Sequence, residues 1–568
     1  MNLALDSYQH LRSTAQGLLL CALLLFTSSV IAQGPAFTRR DTLRGTLNDN
    51  RSCYDVKHYD LLVRVDTSYQ SIWGENTITF KAERDFRVMQ VDLFANMVVS
   101  KITFQGESLK LSREFDAINI EFPHDLKSGE HYSITIQYFG KPQIAKNPPW
   151  DGGFIWAKDS QNQPWIAVAC QGTGASLWWP CKDHLSDEPD SMDIRCQVPS
   201  NLTCISNGQD RGVYRDKRGI LTHHWHVSYP INNYNVTLNI GDYVQLHDHY
   251  TASDGDTLAL DYYVLRGNEE KALKHFEQVK PMLACYEEYL GKYPFWNDGY
   301  ALVETPYLGM EHQSAIAYGN RFLSGYLGGD RSAQQLDFDY IIIHETGHEW
   351  WGNSVSASDI ADMWIHESFC TYSEAIYVEC RYGYDTAMKY VNALRGDVRN
   401  STSIMGIYGV NREGHYDMYV KGMLFLNTLR HVVNNDSLWW GMIKEMSSEE
   451  FRLRVTNYDE VVAYFNRKTG INISPLFSQY VKHYRLPRLV YSTRKKRKKM
   501  VTTVRWEADV ANFSMPISVL IDGQKKLVPI TSVNEKIQSV SPPEFDREHF
   551  YYELKKVIRD KRTRRPEN

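Results

Sequence analysis

The spacing of apolar positions divides the chain into three stretches with different periods. From about Ser52 to Asp242, apolar and polar residues alternate over short runs such as HYDLLVRVD, SIWGENTITFKA, AINIEF, YSITIQYFG and NYNVTLNIG, separated by Gly, Asp and Asn. A period of two bounded by turn formers predicts half-buried strands, and hence a β-sandwich or saddle-like sheet. The pattern changes near Tyr243. After two further strands, EEKALKHFEQVKPMLACYEEYLG spaces its apolar residues three and four apart and reads as a helix interrupted at Pro281. Helical spacing recurs in HYDMYVKGMLFLNTLRHVV, LWWGMIKEMS and VVAYFNRKTG, and continues to about Leu486. From Pro487 alternation returns in RLVYSTR, KMVTTVRWEADV and MPISVLIDGQ, which predicts a small β-sandwich of about eighty residues.

The most informative stretch runs from Ile341 to Glu367 and reads IIIHETGHEWWGNSVSASDIADMWIHE. Three leading apolar residues without proline predict a buried helix, which puts His344 and His348 one turn apart on one face. Two imidazoles so placed can share one zinc ion, and Glu345 can reach a water beside it, as in the H-E-x-x-H hydrolase pattern. Gly352-Asn353 is the expected helix stop, after which MWIHESFCTYSEAIYVEC resumes a helical pattern. That second helix brings back Glu367, expected in its first turn, as a third ligand. Two His and one Glu leave the fourth zinc position open, which suits catalysis rather than a structural role.

HETGHEWWGN followed by WIHESF resembles the gluzincin aminopeptidases, the family of aminopeptidase N and leukotriene hydrolase. Their usual form is H-E-x-x-H-x-W-x-G-N and then W-L-N-E-G-F. The resemblance implies a multidomain α+β fold. A signal peptide over 1–32 would precede an N-terminal β-sandwich or saddle at 33–242. A thermolysin-like, mainly helical zinc domain would span 243–486, and a small β-sandwich with a tail 487–568. Gly309-Met310-Glu311-His312 looks like the family's G-x-M-E-N motif at the edge of the active-site sheet, with Leu308 where the motif's first glycine would be and His312 in place of Asn. Tyr419-Val420-Lys421-Gly422 is similar to Y-x-K-G. Pro180 and Cys181 look like the start of P-C-x-D-E-P, although four residues, Asp183 to Ser186, intervene before Asp187-Glu188-Pro189. Gln171 falls where some members place a glutamine at the substrate's amino end; packing at a domain junction is its other reading. His366, Ser368 and Cys370 depart from the commoner Asn, Gly and Ala. Many members also carry a long helical domain after the small sandwich, and this sequence is expected to end before one.

Each motif has a chemical reading of its own. An exposed strand edge can bind an extended peptide through main-chain hydrogen bonds, and Gly309 permits close backbone approach. A carboxylate there, Glu311, can hold the peptide's ammonium group, so Gly309, Met310, Glu311 and Gln171 form the expected substrate site. The Tyr419 phenol can donate to the oxyanion of a tetrahedral carbonyl, with Tyr416 and His415 as nearby candidates. Gly347, inside the zinc helix, costs roughly 1 kcal/mol relative to alanine and points to close packing against substrate or sheet. Thr371, one turn after Glu367, is placed to steady that carboxylate.

Composition narrows the class further. With 43% hydrophobic and 13% aromatic residues the chain reads as ordered, and a net charge of -5 over 568 residues gives no reason to expect a nucleic-acid partner. Arg12, the run Leu18 to Phe26 and Val30-Ile31-Ala32 predict a signal peptide cut after Ala32, leaving a mature chain without a transmembrane segment. Periplasm, cell surface and secretion are all compatible with that leader. An exported chain can form disulfides; Cys196 and Cys204 are near enough to be linked, or are buried free thiols. The reading is therefore a zinc aminopeptidase with one ion per chain. His344, His348 and Glu367 hold the metal, Glu345 is the base and Tyr419 the oxyanion donor, and the partners are peptides. The competing readings are a peptide-binding protein that has lost catalysis, and an endopeptidase or epoxide hydrolase on the same zinc site.

Overall fold

The computed structural model describes residues 37–332 and 334–557, so the leader and the extreme C-terminal tail lie outside the described residues. Four strands frame the first part of the chain: β1 (Tyr54–Asp66), β2 (Ser71–Ala82), β3 (Pro164–Ala169) and β4 (Ser191–Val198). β1 and β2 form an antiparallel pair inside an eight-stranded sheet, and β4 joins β1 in parallel with His58 opposite Ser191. Alternation does what the sequence predicts, since Tyr59, Leu61 and Val63 are fully buried on one face. β3 belongs to a separate four-stranded sheet and ends just before Gln171.

A five-stranded sheet joins the β half to the helical half. Its strands are β5 (Tyr243–Thr251), β6 (Thr257–Leu265), β7 (Tyr300–Glu304), β8 (Gly309–Met310) and β9 (Ile316–Tyr318), in the order β5-β6-β7-β9-β8. Each of its two faces packs into a different core. Tyr262, Tyr300, Leu302 and Ile316 point into the helical core, whereas Tyr263, Ala301, Val303 and Ala317 point into the β core. Burial on both faces explains the near-continuous apolar run in β7.

Five helices carry the rest of the argument: α1 (Val279–Leu290), α2 (Tyr340–Gly347), α3 (Met363–Tyr382), α4 (Tyr384–Ala393) and α5 (Val420–Val433). The break expected at Pro281 falls earlier, at a 3-10 turn over Phe276–Gln278, and Pro281 sits in the first turn of α1, where a missing N–H is tolerated. α2 also ends sooner than expected, at Gly347 rather than Gly352-Asn353. Beyond it the carbonyls of His348, Glu349 and Trp350 accept from N–H groups five residues on, a wide π-type turn. Gly352 then turns the chain with φ +123. α3 is buried from Met363 to Val378, a central helix covered on all sides.

The last part is a small β-sandwich, as expected. β10 (Arg488–Lys496) and β11 (Lys499–Glu507) pair in a four-stranded sheet facing a three-stranded one. The basic run Arg494 to Lys499 is exposed at the tip of this hairpin. Trp506 and Met515 join the helical core, and the Tyr480 hydroxyl donates to the Tyr551 carbonyl, 2.5 Å. Among the described residues no helix is long and apolar enough to cross a membrane.

Cysteine pairing differs from the linkage considered from sequence. Cys196 and Cys204 are buried and free, while Cys285 in α1 and Cys380 in α3 form a disulfide across 95 residues. Sequence proximity could not reveal this pair, because packing of α1 on α3 brings it together. Closing so long a loop restricts the unfolded chain, so replacing both cysteines with serine is expected to cost about 2–4 kcal/mol of stability. The check is a lower midpoint in thermal unfolding, together with loss of the Cys285–Cys380 peptide pair under non-reducing mapping.

Candidate active site

α2 and α3 meet so that His344, His348 and Glu367 converge. The Nε2 atoms of His344 and His348 lie 3.8 and 3.4 Å from Glu367 Oε2. Asp339 caps α2 by accepting from the N–H groups of Ile341 and Ile342. Glu367 sits in the second turn of α3, after a 3-10 turn over Ile360–Asp362, rather than in the first. The close approach depends on Gly347, where a Cβ would stand 3.1 Å from Cys370 Sγ and 3.5 Å from the Ser373 Cβ. Its neighbour is therefore α3, not the sheet or the substrate. Cys370 is also near the imidazoles, but its thiol donates to the His344 carbonyl at 2.9 Å and belongs to the helix contact.

Both imidazoles are oriented by their other nitrogen. His344 Nδ1 donates to Glu374 Oε1 at 2.7 Å, and Glu374 Oε2 accepts from the Tyr390 hydroxyl at 2.5 Å. His348 Nδ1 donates to the Trp351 carbonyl at 2.8 Å. Both Nε2 atoms are thus left to face Glu367. Glu367 Oε1 accepts from Gln171 Nε2 at 2.9 Å, whereas Glu367 Oε2 is buried without a hydrogen-bond partner. Burial pushes this carboxyl up, but His348 and His344 more than offset it and hold it at about 2. Two oriented ring nitrogens and an orphaned, ionised oxygen form a donor set that fits a divalent metal ion. Thr371, expected to steady Glu367, leaves its hydroxyl without a partner; Gln171 takes that place.

Glu345 lies against β8. A Cβ on Gly309 would stand 2.6 Å from Ile341 Cγ2 and 2.8 Å from Glu345 Oε1, so the glycine makes room for α2 and the glutamate. Burial raises the Glu345 carboxyl to about 7, partly opposed by His344 and His348. β8 is an edge strand, paired with β9 through Gly309–Tyr318 and Met310–Ala317. Glu311 follows it. Its Oε1 accepts from the Tyr234 hydroxyl at 3.0 Å, and burial pushes its carboxyl above the usual range against the pull of His348. His312 is buried with neither ring nitrogen partnered, and burial pulls it down to about 3, so it is neutral.

His344, Glu345, His348, Glu367, Gly309 and Glu311 line one cleft of about 610 Å³, together with Gln171, Thr371, Tyr416 and Tyr419. The Tyr419 ring stacks on His344 with centroids 6.0 Å apart. Tyr416 lines the same cleft and is 44% exposed, while His415 caps the short turn before Tyr419 through Asp417 N–H. Ser368 donates to the Met418 carbonyl at 2.8 Å, and a Cβ at Gly422 would collide with it. His366 Nε2 accepts from Ala357 N–H at 2.7 Å.

Sequence reasoning missed four supporting residues. Glu374 lies two turns beyond Glu367 on the same helix, a spacing that could have suggested it. Glu349 and Asn353 form a clamp, in which Asn353 Nδ2 donates to the Glu311 carbonyl and to Glu349 Oε1 while Tyr293 donates to Glu349 Oε2. This gives the final Asn of the HEWWGN run a physical role. Tyr234, from the β half, carried no signal in the sequence.

Comparison with known proteins agrees with this geometry. Residues 274–480 match the Peptidase family M1 domain and residues 55–234 the Peptidase M1 N-terminal domain, together more than half of the chain. Human endoplasmic reticulum aminopeptidase 1 is 22% identical over 417 residues, covering 70% of this chain and 44% of that protein. Leukotriene A-4 hydrolase of Xenopus laevis is 21% identical over 432 residues, 69% of this chain and 64% of that one. The chain thus spans less than half the length of the endoplasmic reticulum enzyme. Among solved structures, an M1 zinc metallopeptidase mutant of Deinococcus radiodurans bound to a Tyr-Ser-Ala substrate superposes with a TM-score of 0.65 at 19% identity. It covers 76% of this chain and 95% of its own. Two domain matches in the right order, the shared fold and the motifs on α2, α3 and β8 together make this chain a member of peptidase family M1.

Proposed function

We propose that the protein is a zinc aminopeptidase that removes residues one at a time from the amino end of peptides. The observation that carries this reading is the meeting, in one cleft, of the His344/His348/Glu367 donor set, Glu345 beside it and Glu311 at the end of an edge strand. When bound, zinc supplies Lewis acidity, polarising a carbonyl and lowering the pKa of water. An extended peptide lies along the free edge of β8, with its ammonium group against Glu311, whose buried carboxylate needs such a cation. Glu345 takes a proton from the attacking water and delivers it to the departing amine nitrogen. Tyr419 donates its phenol hydrogen to the oxygen that gains charge. Gln171, which donates to Glu367 and lines the cleft, stands at the substrate's amino end as well as against the metal ligand.

An extracytosolic setting is part of the same proposal. It draws on the apolar leader in the sequence and on the Cys285–Cys380 disulfide, a bond that persists in oxidising compartments.

The test is hydrolysis of aminoacyl chromogenic amides, free and amino-acetylated, with and without a chelator. Cleavage of the free amides alone, lost on chelation and restored by zinc, is expected; equal cleavage of acetylated substrates would indicate an endopeptidase. Glu345→Gln should remain folded and zinc-loaded while kcat falls by roughly 10²–10⁴. Substantial turnover by that variant would remove Glu345 from the mechanism. Glu311→Ala should lose most activity on substrates with a free amino terminus, and a uniform loss on free and blocked peptides would overturn the ammonium anchor. Glu374→Ala should weaken zinc affinity by about 10–100-fold in a chelator competition, since the His344 ring loses its orienting partner.

A further inference from the structure

Successive turns of α2 order the groups along the cleft. Ligand atoms of Glu311, His348 and Glu367 lie within 4.8 Å of one another, so the ammonium anchor is on the His348 side. One turn earlier stands His344, and one turn before that Tyr340, whose ring stacks on His344 with centroids 5.5 Å apart and an interplanar angle of 15°. Beyond Tyr340 lies Arg331, its guanidinium carbon 5.1 Å from the Tyr340 centroid and 5.9 Å from that of Tyr326. A peptide that starts at Glu311 and crosses His344 therefore runs toward Arg331.

Arg331 differs from everything else that lines the cleft. Among the described lining residues it is the only arginine or lysine, in a surface that also contains Asp397, Glu413 and Asp417. Its hydrogen bonding is incomplete. Nη2 donates to Asp397 Oδ2 at 3.2 Å, while the Asp397 side chain is 56% exposed and that of Arg331 30%. Such a half-exposed single contact is weak. Arg430, by contrast, is buried and paired through two nitrogens with Glu379. The guanidinium of Arg331 thus stands over two tyrosine rings with donors to spare, an arrangement that suits a planar carboxylate.

We propose that Arg331 is a carboxylate subsite on the leaving-group side of the cleft, so that favoured substrates present a carboxylate about two residues beyond the scissile bond. The orientation rests on the aminopeptidase reading, through Glu311. The length is bounded by the ring contacts of 5.5 and 5.1 Å, which together set the upper limit of the span from the His344 ring to the guanidinium. Two extended residues cover about 7 Å, which with a carboxylate–guanidinium contact reaches across that limit. The same group is offered by the C-terminus of a tripeptide or by an acidic side chain at the third position of a longer one.

The experiment is calorimetric titration of zinc-loaded Glu345→Gln protein with Leu-Ala-Ala, its C-terminal amide, and Leu-Ala-Asp amide. The free acid is expected to bind about tenfold or more tightly than its amide. Recovery of affinity with Leu-Ala-Asp amide assigns the site to acidic side chains as well, and no recovery restricts it to the chain terminus. Adding Arg331→Gln should bring the acid-to-amide ratio to about 1, while Arg331→Lys should keep part of it. Asp397→Asn should raise the ratio by removing the competing carboxylate, a change that a purely structural role for Arg331 would not produce, and it keeps the test valid if Arg331→Gln fails to fold. Equal binding of acid and amide, or binding of neither, overturns the subsite. Acid-selective binding without any hydrolysis by the wild-type protein overturns the aminopeptidase reading and leaves the subsite standing.

Discussion

Everything in the active half depends on the close approach of α2 to α3. That contact puts two imidazoles and several carboxylates in a region almost shut off from water, with Glu345, Glu349, Glu367 and Glu374 all buried. Isolated buried carboxylates are costly, and three of these four are hydrogen-bonded, while burial raises the fourth, Glu345. Glu374 is bonded to His344 and Tyr390, Glu349 to Tyr293, Ser314 and Asn353, and Glu367 to Gln171. One Glu367 oxygen has no such partner. A site so rich in carboxyl groups, with both Nε2 atoms turned inward, fits a divalent cation.

The small residues of the motifs are where elements touch. Gly347 admits Cys370 and Ser373, Gly309 admits Ile341 and Glu345, and Gly422 admits Ser368. Each sits where another side chain needs the space of a Cβ. The family's WLNEGF pattern has glycine at the place of Ser368, so the serine here is accommodated by Gly422 and by its bond to the Met418 carbonyl. That change reaches the segment carrying Tyr419 and leaves the helix contact itself intact.

The β half contributes more than support. Gln171, just beyond β3, reaches Glu367, and Tyr234 donates to Glu311. Because the five-stranded sheet packs into both cores, these residues are held in register with α2 and α3 by continuous burial rather than by a flexible junction. Rigid support of this kind is what pre-organised catalytic groups require.

The sequence alone determined the period of each stretch, and through it the order of β, helical and β regions. It also determined the H-E-x-x-H pair on one helical face, since residues four apart on a helix cannot avoid being neighbours. Glu367, Glu311 and Tyr419 were legible through motif spacing. Tertiary structure alone decided which long-range partners met these groups. The Cys285–Cys380 bond, the Gln171–Glu367 and Tyr234–Glu311 contacts, and the place of Arg331 beyond Tyr340 all join segments far apart in the chain. Local pattern carries no information about such pairs, because they arise only when separate cores pack on one another.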